Sequence, residues 1–313
     1  MTITQLKYVL AVAEHQNFTK AAAHVFVTQP TLSMQIQKLE EELSILIFDR
    51  SKKPIELTEV GKKIVNQARN IVNESERMQD VVDQEKGFIG GDFRLGIIPT
   101  IMPTLLPMFL KNFINKYPKV HLKIEELTTA EIIIKLNDGH LDAAIAATPL
   151  VQDKIKERVL YFEPFVGYVP KNHRLHSKKQ LDRSDLDIND ILLLEDGHCF
   201  RNGVINICKS LKNNAATDSF QVESGSFETL IKLSNEGFGM TLLPYLNTLD
   251  IPKEEQKKYL RYFNIPSPAR EVSLLYKKSE LKMQIIDSLY DIIAGIIRGA
   301  ITFQDIKVIS PRQ

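Results

Sequence analysis

Apolar positions early in the chain follow helical spacing. Leu6, Val9, Leu10 and Ala13 share a face, and a polar break at His15 to Asn17 precedes Phe18, Thr19, Lys20, Ala21, Ala22 and Ala23, so two short helices are predicted. After a second break at Phe26 and Val27, Thr28 is placed to cap a third helix. Pro30 falls in its first turn, where the missing N–H would be unpaired anyway. Leu32, Ile36 and Leu39 line one face of this helix, and Gln29, Thr31, Ser33, Gln35 and Lys38 line the other. Arg50, Lys52 and Lys53 stand ahead of Pro54 and the short alternation Ile55, Glu56, Leu57. From Thr58 onward, Val60, Ile64, Ile71, Met78 and Val81 return at three- and four-residue steps, interrupted by Gln67 and Glu74. That spacing suits a seam between paired helices, or one helix lying on its own domain. Gly87, Gly90 and Gly91 then mark a hinge.

Beyond the hinge the period changes. Phe93 to Ile98 reads as a buried strand, and Leu105 to Tyr117 as a helix with Leu106, Phe109, Leu110 and Phe113 inward. Val120 to Leu127 alternates as a strand does, Glu131 to Asp138 is helical, and Leu141 to Ala147 is a short apolar strand. Strands alternating with helices predict an open α/β sheet. Around Phe165 to Val169 the chain enters a second lobe containing a strand at Ile191 to Leu194 and a helix from Phe227 to Glu236, stopped by Gly237. Val272 to Tyr276 is a strand that rejoins the first lobe. Leu281, Ile285, Leu289, Ile292, Ile293 and Ile296 form a closing amphipathic helix. The predicted class is α/β, with an N-terminal helical head at 1–58, a connecting helix at 59–88 and a two-lobed domain at 89–313.

Composition adds limits. With 43% hydrophobic and 25% charged residues the chain is ordinary for a globular protein. The segment Met1 to Tyr8 lacks the charged and apolar blocks of a signal peptide, and no apolar run approaches the roughly 20 residues that cross a bilayer, so a cytoplasmic location and no membrane partner are expected. The net charge is +1, and residues 1–63 hold eight Lys/Arg against seven Asp/Glu. Bulk charge therefore does not advertise nucleic acid, and any such role rests on local arrangement.

The candidate chemistry lies in Leu194-Glu-Asp-Gly-His-Cys199-Phe-Arg201 and Cys208, which contain the only two cysteines. So few cysteines exclude a disulfide framework, and a reducing compartment would make any disulfide transient. His198 precedes Cys199 and Arg201 follows it by two; cationic neighbours and a helix amino terminus raise a thiol's thiolate fraction. Composition alone equally admits two buried, unrelated cysteines. Thr100 ends the first strand of the α/β domain, and Thr128 and Thr129 end the next, where ligands of such sheets bind. Thr128 with Glu131 also matches a helix-capping box, which leaves either threonine free to face a pocket. Arg270 reads as a surface arginine before a strand or as a pocket cation. His173 and His176 flank a polar turn, and Cys199 with Cys208 lacks CxxC spacing, so no metal site and no cofactor are expected.

Phe18-Thr-Lys-Ala-Ala and Thr28-Gln-Pro-Thr-Leu-Ser-Met-Gln-Ile-Gln-Lys-Leu-Glu resemble the helix-turn-helix signature of the LysR-type transcriptional regulators. Leu-Glu-Asp-Gly-His-Cys-x-Arg with a second cysteine nine positions after the first resembles the redox loop of the peroxide-sensing members of that family. The resemblance covers nearly the whole chain. It implies a winged helix-turn-helix at 1–58 in which Gln29, Pro30, Thr31, Ser33, Gln35 and Lys38 meet the major groove, while Arg50, Lys52 and Lys53 grip the DNA backbone. It implies a dimerising linker helix, assembly to a homotetramer, and a periplasmic-binding-protein-like regulatory domain. In that domain Cys199 and Cys208 form the redox-active pair, and Thr100, Thr129, His198, Arg201 and Arg270 line a hydrogen peroxide pocket. The family usually has glutamine where Thr128 stands. Expected partners are a double-stranded DNA operator, hydrogen peroxide, further copies of the chain, and a thiol reductant that resets the disulfide. Two other functions compete: a regulator that binds a small metabolite between the lobes with incidental cysteines, which the full redox-loop match argues against, and a thiol peroxidase, which has no need of a helix-turn-helix. If Phe200 to Lys209 is helical when reduced, disulfide formation requires that segment to refold.

Overall fold

The first three helices are each set by a side-chain cap. Helix α1 (Ile3–His15) opens on Thr2, whose hydroxyl accepts from the Gln5 amide while the Gln5 side chain accepts from the Thr2 amide. The Asn17 carboxamide accepts from the amides of Thr19 and Lys20 to start α2 (Phe18–His24), and Thr28 caps α3 (Gln29–Leu43). Leu32, Ile36 and Leu39 of α3 are fully buried against Leu6, Val9 and Val12 of α1 and Ala21 of α2. Strands β1 (Phe48–Asp49) and β2 (Glu56–Leu57) pair as an antiparallel wing. Helix α4 (Glu59–Glu85) follows, passing so close to the carbonyl of Ile47 that a Cβ at Gly61 would collide with it. The computed structural model describes residues 1–85, 89–150, 152–208, 224–301 and 306–311; the expected hinge residue Gly87 lies outside them.

The core of the first unit uses a different stripe of α4 from the expected seam and leaves most of that seam open. The buried residues are Val65, Ala68 and Val72, because the first half of α4 lies against α1. Val60, Met78 and Val81 are exposed, Met78 to 72%, and Ile64 and Ile71 are half-buried. The chain divides into two compact units, 1–88 and 89–313.

The second unit is a mixed sheet covered by helices. It contains β3 (Gly91–Ile97), α5 (Met102–Lys116), β4 (Val120–Glu126), α6 (Thr129–Asn137), β5 (Ala143–Thr148) and β6 (Ile155–Tyr168). These are followed by β7 (Gln180–Leu181), β8 (Ile191–Leu192), α7 (Cys199–Ile207), α8 (Phe227–Asn235), β9 (Met240–Pro244), α9 (Tyr245–Thr248) and α10 (Lys253–Tyr259). The described chain ends with β10 (Leu260–Phe263), β11 (Ser267–Lys277), α11 (Met283–Ala300) and β12 (Ile306–Val308). Strand order is β4-β3-β5-β11-β6-β10-β7, with β9 also on β6, β8 on β9 and β12 on β11. β3 runs parallel to β4 and β5, whereas β11 is antiparallel to both β5 and β6.

Two cores follow from that order. One packs β3, β5 and the first part of β6 under α5, α6 and α11 through Phe93, Leu95, Phe109, Ile145, Val272 and Leu289. The other gathers Phe165, Tyr168, Leu194, Phe200, Val204, Ile207, Cys208, Leu230 and Leu242 around the far half of β6 and β9. The two long strands β6 and β11 therefore tie the lobes together. Helix α5 begins three residues before the expected Leu105, which itself faces inward, leaving Leu106 and Leu110 only partly buried.

Candidate functional site: a cysteine between two helix amino termini

Helices α6 and α7 bring their first residues together from opposite lobes. Thr128 is the N-cap of α6 and forms the capping box with Glu131, so its side chain is used by the helix. Thr129, the first residue of α6, instead places its hydroxyl 2.9 Å from the sulfur of Cys199, the first residue of α7. The choice between the two threonines is thus made by local geometry: the cap faces the turn, and the next residue faces the other lobe. The first residues of both helices thus meet at the sulfur, and the positive end of a helix dipole favours negative charge nearby.

His198 is the N-cap residue of α7 and is buried, with Nε2 3.3 Å from Glu195 Oε1. Gly225 closes over this pair; a Cβ there would lie 2.9 Å from Glu195 Oε1 and 3.2 Å from His198 Nε2. Arg201 is engaged by the turn that precedes α7. Its Nη1 donates to the Leu194 carbonyl at 3.0 Å and its Nε pairs with Asp196 at 2.7 Å, because residues two apart on a helix project to different sides.

Thr100 and Arg270 form a second, deeper cluster. Arg270 lies inside β11, not before a strand, and is 4% exposed. Its Nε and Nη2 donate to Glu163 Oε2 at 2.9 and 2.7 Å, its Nη1 to the Thr100 hydroxyl at 2.9 Å, and its Nη2 to the Thr100 carbonyl at 3.1 Å. Glu163 was missed in the sequence, although a single acid in the apolar run of β6 was the available signal; its other oxygen accepts from the Leu246 amide at 2.8 Å. The Arg270 guanidinium sits 5.2 Å from the ring centroid of Phe200, the neighbour of Cys199, so Phe200 links the two clusters.

The two sulfurs occupy different surroundings. Cys199 is half-buried and packs against the first core, whereas Cys208 is a member of the second. Burial, reinforced by the negative charges of Asp190 and Asp187 against the opposing charge of Arg183, pushes the Cys208 thiol up to about 12. Lys209 and the residues up to 223 lie outside the described residues.

In the first unit the polar face of α3 is open. Gln29, Pro30, Thr31 and Lys38 are exposed and Ser33 is half-buried, while Gln35 accepts from Gln5 at 3.3 Å. Lys52 pairs with Glu56 at 2.6 Å across the exposed wing. Arg50 is anchored inward: it donates to the buried Glu40 at 2.8 Å and lies 5.1 Å from the Phe18 ring centroid. The other Glu40 oxygen accepts from the amides of Ile47 and Phe48, which makes it the joint between α3 and the wing.

Residues 3–62 match the model of the bacterial regulatory helix-turn-helix protein, lysR family, and residues 86–295 match the LysR substrate binding domain. The chain belongs to the LysR family, in its OxyR branch. It is 31% identical to a hydrogen peroxide-inducible genes activator of Pectobacterium carotovorum, over 96% of this chain and 98% of that one. Against the DNA-binding transcriptional dual regulator OxyR of Escherichia coli K12 the identity is 30%, over 96% and 95%. A full-length OxyR variant from Pseudomonas aeruginosa superposes with a TM-score of 0.75 at 33% identity, covering 94% of this chain and 98% of that one. A hydrogen-peroxide-bound OxyR mutant from Corynebacterium glutamicum gives 0.63 at 26%, covering 98% of each. The LysR family is one of DNA-binding transcriptional regulators, and among the described residues no helix is long and apolar enough to cross a membrane.

Proposed function

We propose that this LysR-family chain is a cytoplasmic transcriptional regulator that reports hydrogen peroxide through Cys199. The Cys199 thiolate attacks one peroxide oxygen, giving a sulfenic acid and hydroxide; the Cys208 thiol then displaces water to form a disulfide. A thiol reductant returns both to thiols. The observation that carries this reading is the asymmetry of the two sulfurs: Cys199 faces the Thr129 hydroxyl at the meeting of two helix amino termini, and Cys208 is a buried, protonated thiol. Thr100, Thr129, His198 and Arg270 would surround the peroxide, with Glu163 holding Arg270, and Arg201 would fix the 194–196 turn instead of touching the oxidant. Residues 1–58 would bind the operator with α3 in the major groove. Residues 59–88 would pair copies of the chain, a role supported by exposed Met78, Val81 and Val82, with tetramers as the working assembly. Residues 89–313 would sense the oxidant.

The test is thiol mass spectrometry of full-length reduced protein before and after low peroxide, with hydrogen exchange over 199–208. A disulfide in the wild type, a sulfenic acid on Cys199 in Cys208→Ser, and lost protection in α7 on oxidation are expected. Oxidation of Cys208 at the same rate in Cys199→Ser would reverse the assignment. Sustained peroxide consumption with thioredoxin present would make the chain a peroxidase instead of a sensor.

A further inference from the structure

Outside the cysteine site, one group of side chains among the described residues has metal-ligand chemistry. Glu14 and His15 end α1 and His24 ends α2, and their ligand atoms all lie within 4.8 Å of one another. The two imidazole centroids are 4.8 Å apart at 60°. His15 Nε2 is shut off from solvent and has no hydrogen-bond partner among the described residues. A buried ring nitrogen without a partner is costly, and coordination is one way to satisfy it.

We infer that Glu14, His15 and His24 form a binding site for a divalent transition-metal ion that joins the carboxyl-terminal ends of α1 and α2. Two imidazoles and one carboxylate are a donor set suited to Zn²⁺, Co²⁺ or Ni²⁺ and poorly suited to Mg²⁺ or Ca²⁺, which take oxygen ligands. Bonds of about 2.0–2.1 Å in a tetrahedral arrangement require donor atoms roughly 3.4 Å apart. Glu14 and His24 are exposed and His15 is half-buried, so the first two swing in toward the third with little repacking. A cation at this place is further favoured by the negative end of the α1 dipole. The ligands are scattered over two helices as Glu-His and a histidine nine residues later, unlike the C-x2–4-C and H-x3–5-H spacings typical of structural zinc sites. Joining α1 to α2 stiffens the support on which α3 is packed.

The test is a titration of reduced full-length protein with Co²⁺, followed by its visible d–d absorption and by thermal melting. A tetrahedral His/carboxylate spectrum without the near-ultraviolet charge-transfer band of a thiolate–cobalt bond is expected, which separates this site from the two cysteines. His24→Ala, at an exposed position, and Glu14→Gln should each weaken Co²⁺ binding at least about tenfold. Zn²⁺ should raise the melting temperature of the wild type and not that of His24→Ala. The inference is overturned if micromolar Co²⁺ gives no d–d band, if the band carries thiolate character, or if His24→Ala binds Co²⁺ as tightly as the wild type.

Discussion

Replacing Thr129 by Val removes one hydroxyl from the cysteine site and keeps a β-branched side chain in the first turn of α6. The lost interaction is the 2.9 Å contact to Cys199 Sγ. A hydrogen bond to a charged group contributes about 1.5–3 kcal/mol, so the anionic sulfur that attacks peroxide loses about that much stabilisation. A less stabilised thiolate is also a better nucleophile, with a Brønsted coefficient of about 0.4–0.5, so only a little over half of the loss survives in the barrier. The net effect is about 0.8–1.6 kcal/mol, or roughly four- to fifteenfold in rate. Thr128→Val is the matched control. Its hydroxyl caps α6 and faces Glu131, so it should cost about 1 kcal/mol of stability with a peroxide rate within about twofold of wild type. The assay is stopped-flow oxidation of reduced protein by peroxide, read by quenched thiol alkylation, with urea unfolding in parallel. If Thr129→Val reacts as fast as wild type, or if Thr128→Val is slowed equally, the assignment of the two threonines is wrong.

Four further outcomes are expected. Glu163→Gln leaves the Arg270 guanidinium buried without its counter-ion and should destabilise the second unit by about 3–5 kcal/mol in urea; a change below about 1 kcal/mol would show that the pair is dispensable. Because Cys208 titrates near 12 when folded and lower when unfolded, the stability from its buried neutral thiol is complete below about pH 8 and is lost as pH rises from there toward 12. Reduced wild type should therefore lose stability between about pH 8 and pH 10.5 more steeply than Cys208→Ala, and parallel curves would refute the burial effect. Arg50→Ala should cost about 1–2 kcal/mol by exposing the Glu40 joint, seen as a lowered melting temperature of the first unit without DNA; an unchanged melt would return Arg50 to a purely DNA-contacting role. Gln29→Ala should relax operator discrimination by about 1–3 kcal/mol while Lys53→Ala weakens specific and nonspecific sites alike, measured by titration at two salt concentrations; equal losses on all sequences for Gln29→Ala would remove it from base recognition.

What was legible in the sequence was local. Thr28, Pro30 and the spacing of Leu32, Ile36 and Leu39 were enough to place α3, since cap, first turn and buried face all lie within fifteen residues. The same holds for α6, whose capping box lies within four. Long-range partners left no such trace. Glu163 meets Arg270 across 107 residues, and Glu40 meets Arg50 through a fold of the wing that only the packed head defines. In the sequence, strand β6 shows only as an entry to the second lobe. It crosses from one core to the other, so its burial runs from partial to complete and its alternation fades. Arg201 is the converse case: it stands close in sequence to Cys199, and its hydrogen bonds go to the Leu194 carbonyl and Asp196. On α4, the unit's own core covers the stripe of Val65, Ala68 and Val72, which the sequence does not single out, and leaves Val60, Met78 and Val81 of the expected seam open.

The two lobes also explain why disulfide formation would be a switch and not a simple staple. Cys199 and Cys208 stand at the two ends of α7, nine residues apart, which at 1.5 Å per residue separates their α-carbons by roughly 13 Å. A disulfide spans at most about 7 Å, so α7 has to unwind before the proposed bond forms. Unwinding draws Phe200, Val204 and Ile207 out of the second core, each contributing on the order of 1.5–3 kcal/mol by burial, or roughly 5–9 kcal/mol together. Closing a loop of about ten residues contributes only on the order of 3 kcal/mol. A bridged state in which those three side chains remained in water would thus be unfavourable relative to one in which they find new apolar contacts. Some of them must repack, and Phe200, which stacks at 4.9 Å on Phe165 and lies beneath Arg270, carries the change into the Thr100–Glu163 cluster. In this arrangement the oxidised state differs from the reduced one because the bond cannot be made without exchanging one set of buried contacts for another.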